Sequence, residues 1–148
     1  SSNNINIDSC KIESKQALQM CKNIKMSKTA IKSSDILWHA QDGFFENTYF
    51  SGKNIGWNSK NLTFNNCFFE GEMPFCYASK IILNNCKFIN SEGAFEESDI
   101  CGTIFGNIKS IFKPKKLDLT IKTNTIPKLI SNDKYKDNIC IKIIGEEK

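Results

Sequence analysis

The chain of 148 residues contains no arginine, so all 20 of its basic residues are lysine. Arginine is the side chain that binds phosphates and guanine edges through paired hydrogen bonds, and its absence argues against sequence-specific nucleic-acid recognition. The net charge of +4 is unevenly placed: residues 1–108 carry 10 lysines and 11 acids, and residues 109–148 carry 10 lysines and 5 acids. We therefore predict a solvated, lysine-rich C-terminal surface and no specific nucleic-acid partner.

The sequence is also poor in groups that hold metals or form catalytic dyads. Its one histidine is His39, and none of its seven cysteines stands in a C-x-x-C pair, so neither a zinc site nor a cysteine–histidine dyad is indicated. We predict no metal and no cofactor. We find no signal peptide and no apolar run of membrane-spanning length, and so expect a cytoplasmic protein without a membrane span.

What the sequence does contain is a 19-residue repeat, which we read as five copies without an insertion. It is most regular in residues 60–79, where apolar residues such as Leu62 and Phe64 stand two apart, the spacing of a β-strand. Positions 19 residues apart form columns of similar side chains. One column is Ile5, Ile24, Gly43, Leu62 and Ile81, and another is Ile12, Ile31, Phe50, Phe69 and Phe88.

Short strands that recur every 19 residues predict a parallel β-solenoid, because one coil cannot bury its inner face alone and stacking supplies the core. The predicted fold is all-β, a right-handed parallel β-helix with three short strands per coil, the third near residues 74–77. Residues 1–112 are predicted to form the coils, and residues 113–148 to add basic strands that cap the solenoid. Solenoids normally protect their ends with a polar cap, and no such capping unit precedes Ile5, so we expect either a fragment of a longer solenoid or self-association through an uncapped N-terminal coil.

A structural ladder is predicted at the turn between the first two strands of each coil. Asparagine tolerates the left-handed backbone of tight turns, and stacked asparagines can hydrogen-bond from coil to coil. The ladder consists of Asn47, Asn66 and Asn85, each with the next residue facing inward, notably Cys67 and Cys86. Cys10 and Cys21 are also predicted to face inward. Parallel side chains are poorly placed for a disulfide, so we expect free thiols.

One outward column is unusual. The column Gln19, Trp38, Trp57, Cys76 and Phe95 follows an inward column by one residue, so strand alternation points it outward and stacks the two tryptophans in adjacent coils. Exposed neighbouring tryptophans suit a carbohydrate or a protein partner, unless the tail strands or a local bend bury them. The hypothetical ligand-binding residues are Trp38, Trp57, His39, Asn58 and Tyr77.

An enzymatic function has less support from the sequence. Glycoside cleavage needs two carboxylates about 5–10 Å apart across one cleft, and Asp8 and Glu46 share a column but lie two coils apart. Glu70, Glu72 and Glu92 form a loose acidic group near one bend, which we interpret as solvated turns. No catalytic residue is assigned. Enzymatic activity stays open, with a non-catalytic role favoured.

Several segments resemble a known family: Lys-Asn-Ile and Lys-Asn-Leu at 22–24 and 60–62, Asn-Cys at 66–67 and 85–86, and Ile-Gly-Trp-Asn-Ser at 55–59. They are similar to a bacterial family of right-handed parallel β-helices of unknown function, with pectin-lyase-like architecture, and the chain looks like its C-terminal half. The resemblance implies the fold and no established activity. We favour a binding or scaffold module that uses the aromatic face. The alternatives are a polysaccharide lyase or glycoside hydrolase of this fold, and a rod that assembles end to end.

Overall fold

The computed structural model describes residues 2–146, and nearly all of its regular elements are short β-strands. The strands are β1 (Asn3–Asp8), β2 (Lys11–Gln16), β3 (Lys22–Ser27), β4 (Ala30–Ser34), β5 (Gln41–Glu46), β6 (Tyr49–Ser51), β7 (Lys60–Asn65), β8 (Phe68–Glu70), β9 (Ser79–Ser91), β10 (Asp99–Ile108), β11 (Ser110–Phe112), β12 (Lys116–Lys122), β13 (Lys128–Ile130) and β14 (Ile139–Ile144). A 3₁₀ helix, Asp133–Asn138, precedes β14.

The strands stack in parallel as the coils of a solenoid. One side of the stack runs β1-β3-β5-β7-β9 and continues through β10 to β12 and β14, and the second side runs β2-β4-β6-β8-β9. Partners such as Ile24 and Gly43, or Gly43 and Leu62, are 19 residues apart. The predicted all-β, parallel solenoid is confirmed, with about seven stacked coils.

The tail strands continue this stack. β12 pairs in parallel with β10, β14 pairs in parallel with β12, and β13 pairs in parallel with β11. The segment predicted as a cap therefore covers the end of the earlier coils by adding further strands to the same sheets. The division into two units at residue 112 stays a prediction.

The third side of the early coils is a turn, so the strand predicted at residues 74–77 is wrong. Phe75 and Tyr77 both have left-handed backbones, with φ of 54° at each. Two such residues, two positions apart, break the extended conformation that a strand requires. Side-chain alternation therefore does not hold on this side, and Cys76, predicted to face outward, is fully buried.

The fifth turn also contains an inserted residue, which corrects the uninterrupted register predicted from the sequence. The Ser98 N–H donates to the Phe95 carbonyl at 3.1 Å, as the Ser59 N–H donates to the Gly56 carbonyl at 3.1 Å. Phe95 is therefore the structural counterpart of Gly56, 39 residues later rather than 38. It is fully buried, instead of facing outward as predicted.

Phenylalanine fills the middle of the solenoid. The fully buried phenylalanines are Phe45, Phe50, Phe64, Phe69, Phe75, Phe88 and Phe95. Rings in one column stack from coil to coil, with centroids 5.2 Å apart for Phe50 and Phe69 and 5.0 Å apart for Phe69 and Phe88. Rings from different columns meet edge to face, as Phe64 and Phe69 do at 5.1 Å. Both arrangements are favourable for aromatic pairs.

Two glycines in core columns make room for these rings. A Cβ on Gly43 would lie 2.6 Å from the ring of Phe45, and one on Gly56 would lie 2.6 Å from the ring of Phe75. Gly56 also has a φ of +74°, which glycine adopts without steric strain. Phe44, the neighbour of Gly43, does not fill this space, because its side chain is 38% exposed.

The asparagine turns have left-handed backbones, with φ of 49° at Asn47, 53° at Asn66 and 54° at Asn85. Asn85 Nδ2 donates to Asn66 Oδ1 at 2.9 Å, across adjacent coils. Cys67 and Cys86, which follow these turns, are fully buried. These corners hold the two strand sides of each coil at a fixed angle.

We predict that Phe69→Ala lowers the free energy of unfolding by about 3–5 kcal/mol, because it leaves a cavity between the stacked rings of Phe50 and Phe88. The matched control is Phe44→Ala, an exposed phenylalanine, which should change it by about 0.5 kcal/mol or less. Urea unfolding followed by circular dichroism measures both. Equal effects of the two substitutions would contradict the assignment of Phe69 to the core.

The seven cysteines are all free thiols, and they fall into two groups. Cys21, Cys67, Cys76 and Cys86 are buried, whereas Cys10, Cys101 and Cys140 are exposed. Cys10 is predicted to face inward but is exposed, because it lies between β1 and β2 in the first coil. Another coil covers this coil on one side only. Burial raises the pKa of Cys67 to about 12 and that of Cys86 to about 11.

We predict that three thiols react with a disulfide reagent in the native protein at pH 8 and that all seven react in denaturant. Reaction requires a thiolate that the reagent can reach. The four inner thiols are shielded from the reagent, and burial also raises the pKa of Cys67, Cys76 and Cys86. A colorimetric thiol titration with and without guanidinium gives both counts. Rapid reaction of more than three thiols in the folded protein would argue against the register of the coils.

Candidate ligand-binding groove

Trp38 lies in a tight turn on the third side of the second coil. Its N–H donates to the carbonyl of Asp35 at 3.2 Å, which closes the turn. Its two neighbours, Leu37 and His39, have left-handed backbones with φ of 63° and 55°. In this turn the indole is half-buried.

The next coil repeats the same turn. The Trp57 N–H donates to the carbonyl of Asn54 at 3.3 Å, and the neighbours Gly56 and Asn58 have φ of 74° and 54°. Each turn therefore presents an indole together with a polar side chain three residues earlier. The two polar side chains are joined, since Asn54 Nδ2 donates to Asp35 Oδ1 at 3.1 Å.

These two columns line an open groove of about 490 Å³ that crosses four coils. The volume lies within the range of small-molecule sites. Its lining residues are Gln16, Asp35, Asn54 and Met73 from one column and Gln19, Trp38 and Trp57 from the other. Sequence reasoning missed the first column, although its members stand 19 residues apart and three residues before the aromatic column.

The five residues predicted as a site lie beside one another. The rings of Trp38 and His39 have centroids 3.9 Å apart, and those of Trp57 and Tyr77 are 5.1 Å apart. His39 Nδ1 lies 3.0 Å from Asn58 Nδ2. Trp38 therefore packs against His39, and Trp57 packs against Tyr77. The predicted stacking of the two indoles on each other does not occur.

Tyr77 is anchored in turn, because its hydroxyl donates to Glu96 Oε2 at 3.2 Å. The charge of Glu96 raises the pKa of the Tyr77 phenol, so the phenol stays protonated and keeps this hydrogen bond. The ring that packs against Trp57 is thereby fixed from the following coil.

The predicted acidic group is only partly assembled. Glu72 and Glu92 line a shallow hollow of about 270 Å³ together with Glu96, and Met73 separates this hollow from the groove. Glu70 instead accepts a hydrogen bond from the hydroxyl of Tyr49. Across residues 2–146, no group of three or more histidine, cysteine or acidic side chains is placed to hold a metal ion.

A larger hollow, of about 1110 Å³, lies at the C-terminal end of the stack between β9, β10 and the tail. It forms because the chain leaves the sheet after Lys122 and crosses as a loop to β13. Its lining includes Lys87, Lys122 and Ile144. It lacks the repeated pairing of aromatic and polar side chains that distinguishes the groove.

The stacked coils define a parallel β-solenoid, and an open groove lined by Trp38 and Trp57 lies on its turn side. The chain belongs to the family described as protein of unknown function (DUF3737), whose sequence profile matches residues 1–144. No curated protein and no solved structure matches the chain. Over the described part of the chain, none of the helices has the length and apolar character needed to cross a bilayer.

We predict that both tryptophans are accessible to acrylamide, since each indole is half-buried beside an open groove. The single substitutions Trp38→Phe and Trp57→Phe allow the two emissions to be measured separately. The quenching constants should lie between those of a free indole and a core indole. A blue-shifted emission that acrylamide does not quench would show that an indole belongs to the core.

Proposed function

We propose that this protein is a non-catalytic binding module that holds its ligand in the groove beside Trp38 and Trp57. The observation that carries the proposal is the repeated turn, which places a half-buried indole next to a polar side chain in two adjacent coils. Tryptophan offers a large rigid apolar surface and is enriched among the residues that dominate binding energy. The buried phenylalanines support the fold from within, which leaves the turn side free for recognition.

A carbohydrate-active enzyme of pectin-lyase-like architecture is the alternative. It would need two carboxylates, or an equivalent acid and base, on either side of a scissile bond. The groove offers one carboxylate, Asp35, which already accepts a hydrogen bond from Asn54. Glu72, Glu92 and Glu96 lie beyond Met73. This arrangement favours binding over catalysis.

We place the protein in the cytoplasm as part of the same proposal. Seven cysteines without a disulfide suit a reducing compartment, where thiols persist.

We predict that the double substitution Trp38→Ala and Trp57→Ala abolishes ligand capture while changing the free energy of unfolding by about 1 kcal/mol or less. Capture is measured on a glycan array and against candidate protein partners, and stability by urea unfolding. Phe44→Ala is the matched control, because it removes an exposed aromatic ring from another side of the solenoid. If the double variant unfolds, the indoles are part of the core packing, and the basis of the proposal is removed.

We also propose that the 148-residue chain self-associates through β1, the edge strand of its first coil. Ile5 and Ile7 of β1 are only partly buried, whereas Ile24 and Met26, which pair with them, are buried. The edge of β1 presents backbone groups that another strand can pair with.

Sedimentation velocity of the 148-residue chain should then show an association that grows with concentration. Ile7→Lys should prevent it, because it places a charge on the inner face of the edge strand. Asn6→Lys, which changes the outer face of the same strand, should leave it unchanged. A strict monomer at high concentration would contradict the proposal.

A further inference from the structure

We infer that the groove takes an uncharged oligosaccharide that lies along the solenoid axis. This inference rests on the proposed binding function and specifies its ligand. It follows from three properties of the groove: the pairing of an aromatic column with a polar column, the length of the groove, and its charge.

The first property is the chemistry of the two columns. Trp38 and Trp57 present flat apolar surfaces, which suit the C–H faces of pyranose rings. The facing column presents Gln16, Asp35 and Asn54 in three successive coils. Amide side chains both donate and accept hydrogen bonds, as sugar hydroxyls do. The second and third coils thus each combine an indole with a polar side chain, which is the combination that a sugar ring requires.

The second property is length. The groove is lined from Gln16 in the first coil to Met73 in the fourth. Adjacent coils are about 4.8 Å apart, so the lined stretch extends about 14 Å along the axis. A single pyranose ring is shorter than this stretch, and a short oligosaccharide fills it.

The third property is charge. The groove contains one carboxylate and no lysine, although the chain has 20 lysines. Beyond Met73, the hollow adds the carboxylates of Glu72, Glu92 and Glu96, again without a lysine. An acidic sugar would meet these charges with no cation to offset them, so the groove disfavours uronic acids. A neutral sugar meets no such repulsion, and we take the ligand to be neutral.

The test is calorimetric titration of the full chain with cellohexaose, laminarihexaose, mannohexaose, hexa-N-acetylchitohexaose and hexagalacturonate. We expect at least one of the four neutral sugars to bind and hexagalacturonate to bind at least about tenfold more weakly than it. Trp38→Ala and Trp57→Ala should each lower the affinity for the neutral sugar by about tenfold to a hundredfold. Phe44→Ala should leave its affinity unchanged.

Failure of all four neutral sugars to bind at millimolar concentration would overturn the inference, and so would a preference for hexagalacturonate. The proposed binding function is judged separately. A purified protein partner that binds the Trp38→Ala and Trp57→Ala variants more weakly than the unchanged protein would uphold the binding function. It would overturn the inference that the ligand is an oligosaccharide. If neither a sugar nor a partner depends on the two tryptophans, both are overturned.

Discussion

The stacking of phenylalanine on phenylalanine from coil to coil is the contact on which the rest of this structure depends. Phe50, Phe69 and Phe88 form one column, and Phe45 stacks on Phe64 in another. In these columns each ring lies above the ring of the neighbouring coil, so those coils must share one register. The 19-residue period, the parallel pairing and the glycines beside the rings all serve this requirement. Each coil is stable only through its neighbours.

The corners satisfy a different constraint. A coil that closes within 19 residues must turn sharply, and left-handed residues provide those turns. At the asparagine corner the sequence uses a residue that tolerates this backbone. On the tryptophan side the same conformation occurs at His39 and at Leu37, and leucine adopts it less readily than asparagine does. Strain in a backbone that the surrounding coils hold in place is a common feature of functional sites.

The sequence predicted the period, the parallel solenoid and the inward columns, because each rests on a repeat that can be read directly. It misled us on the third side, where alternation predicted an outward Cys76 and the structure buries it. Alternation presupposes a strand. The residue types Leu37 and His39 do not reveal that the backbone is left-handed on both sides of Trp38. The partners of the indoles in the groove were missed for the same reason, since Asp35 and Asn54 reach them only through the turn.

The inserted residue before Phe95 shows how changes at a corner are contained. Pairing returns to a spacing of 19 residues at Ile81 and Ile100, a few positions later. The inserted residue is accommodated by the turn and by two register shifts in the pairing of β9 with β10, and the parallel stack continues beyond it. Single insertions and substitutions at the turns can therefore reshape the groove on the turn side, one coil at a time, while the stacked phenylalanines keep their places.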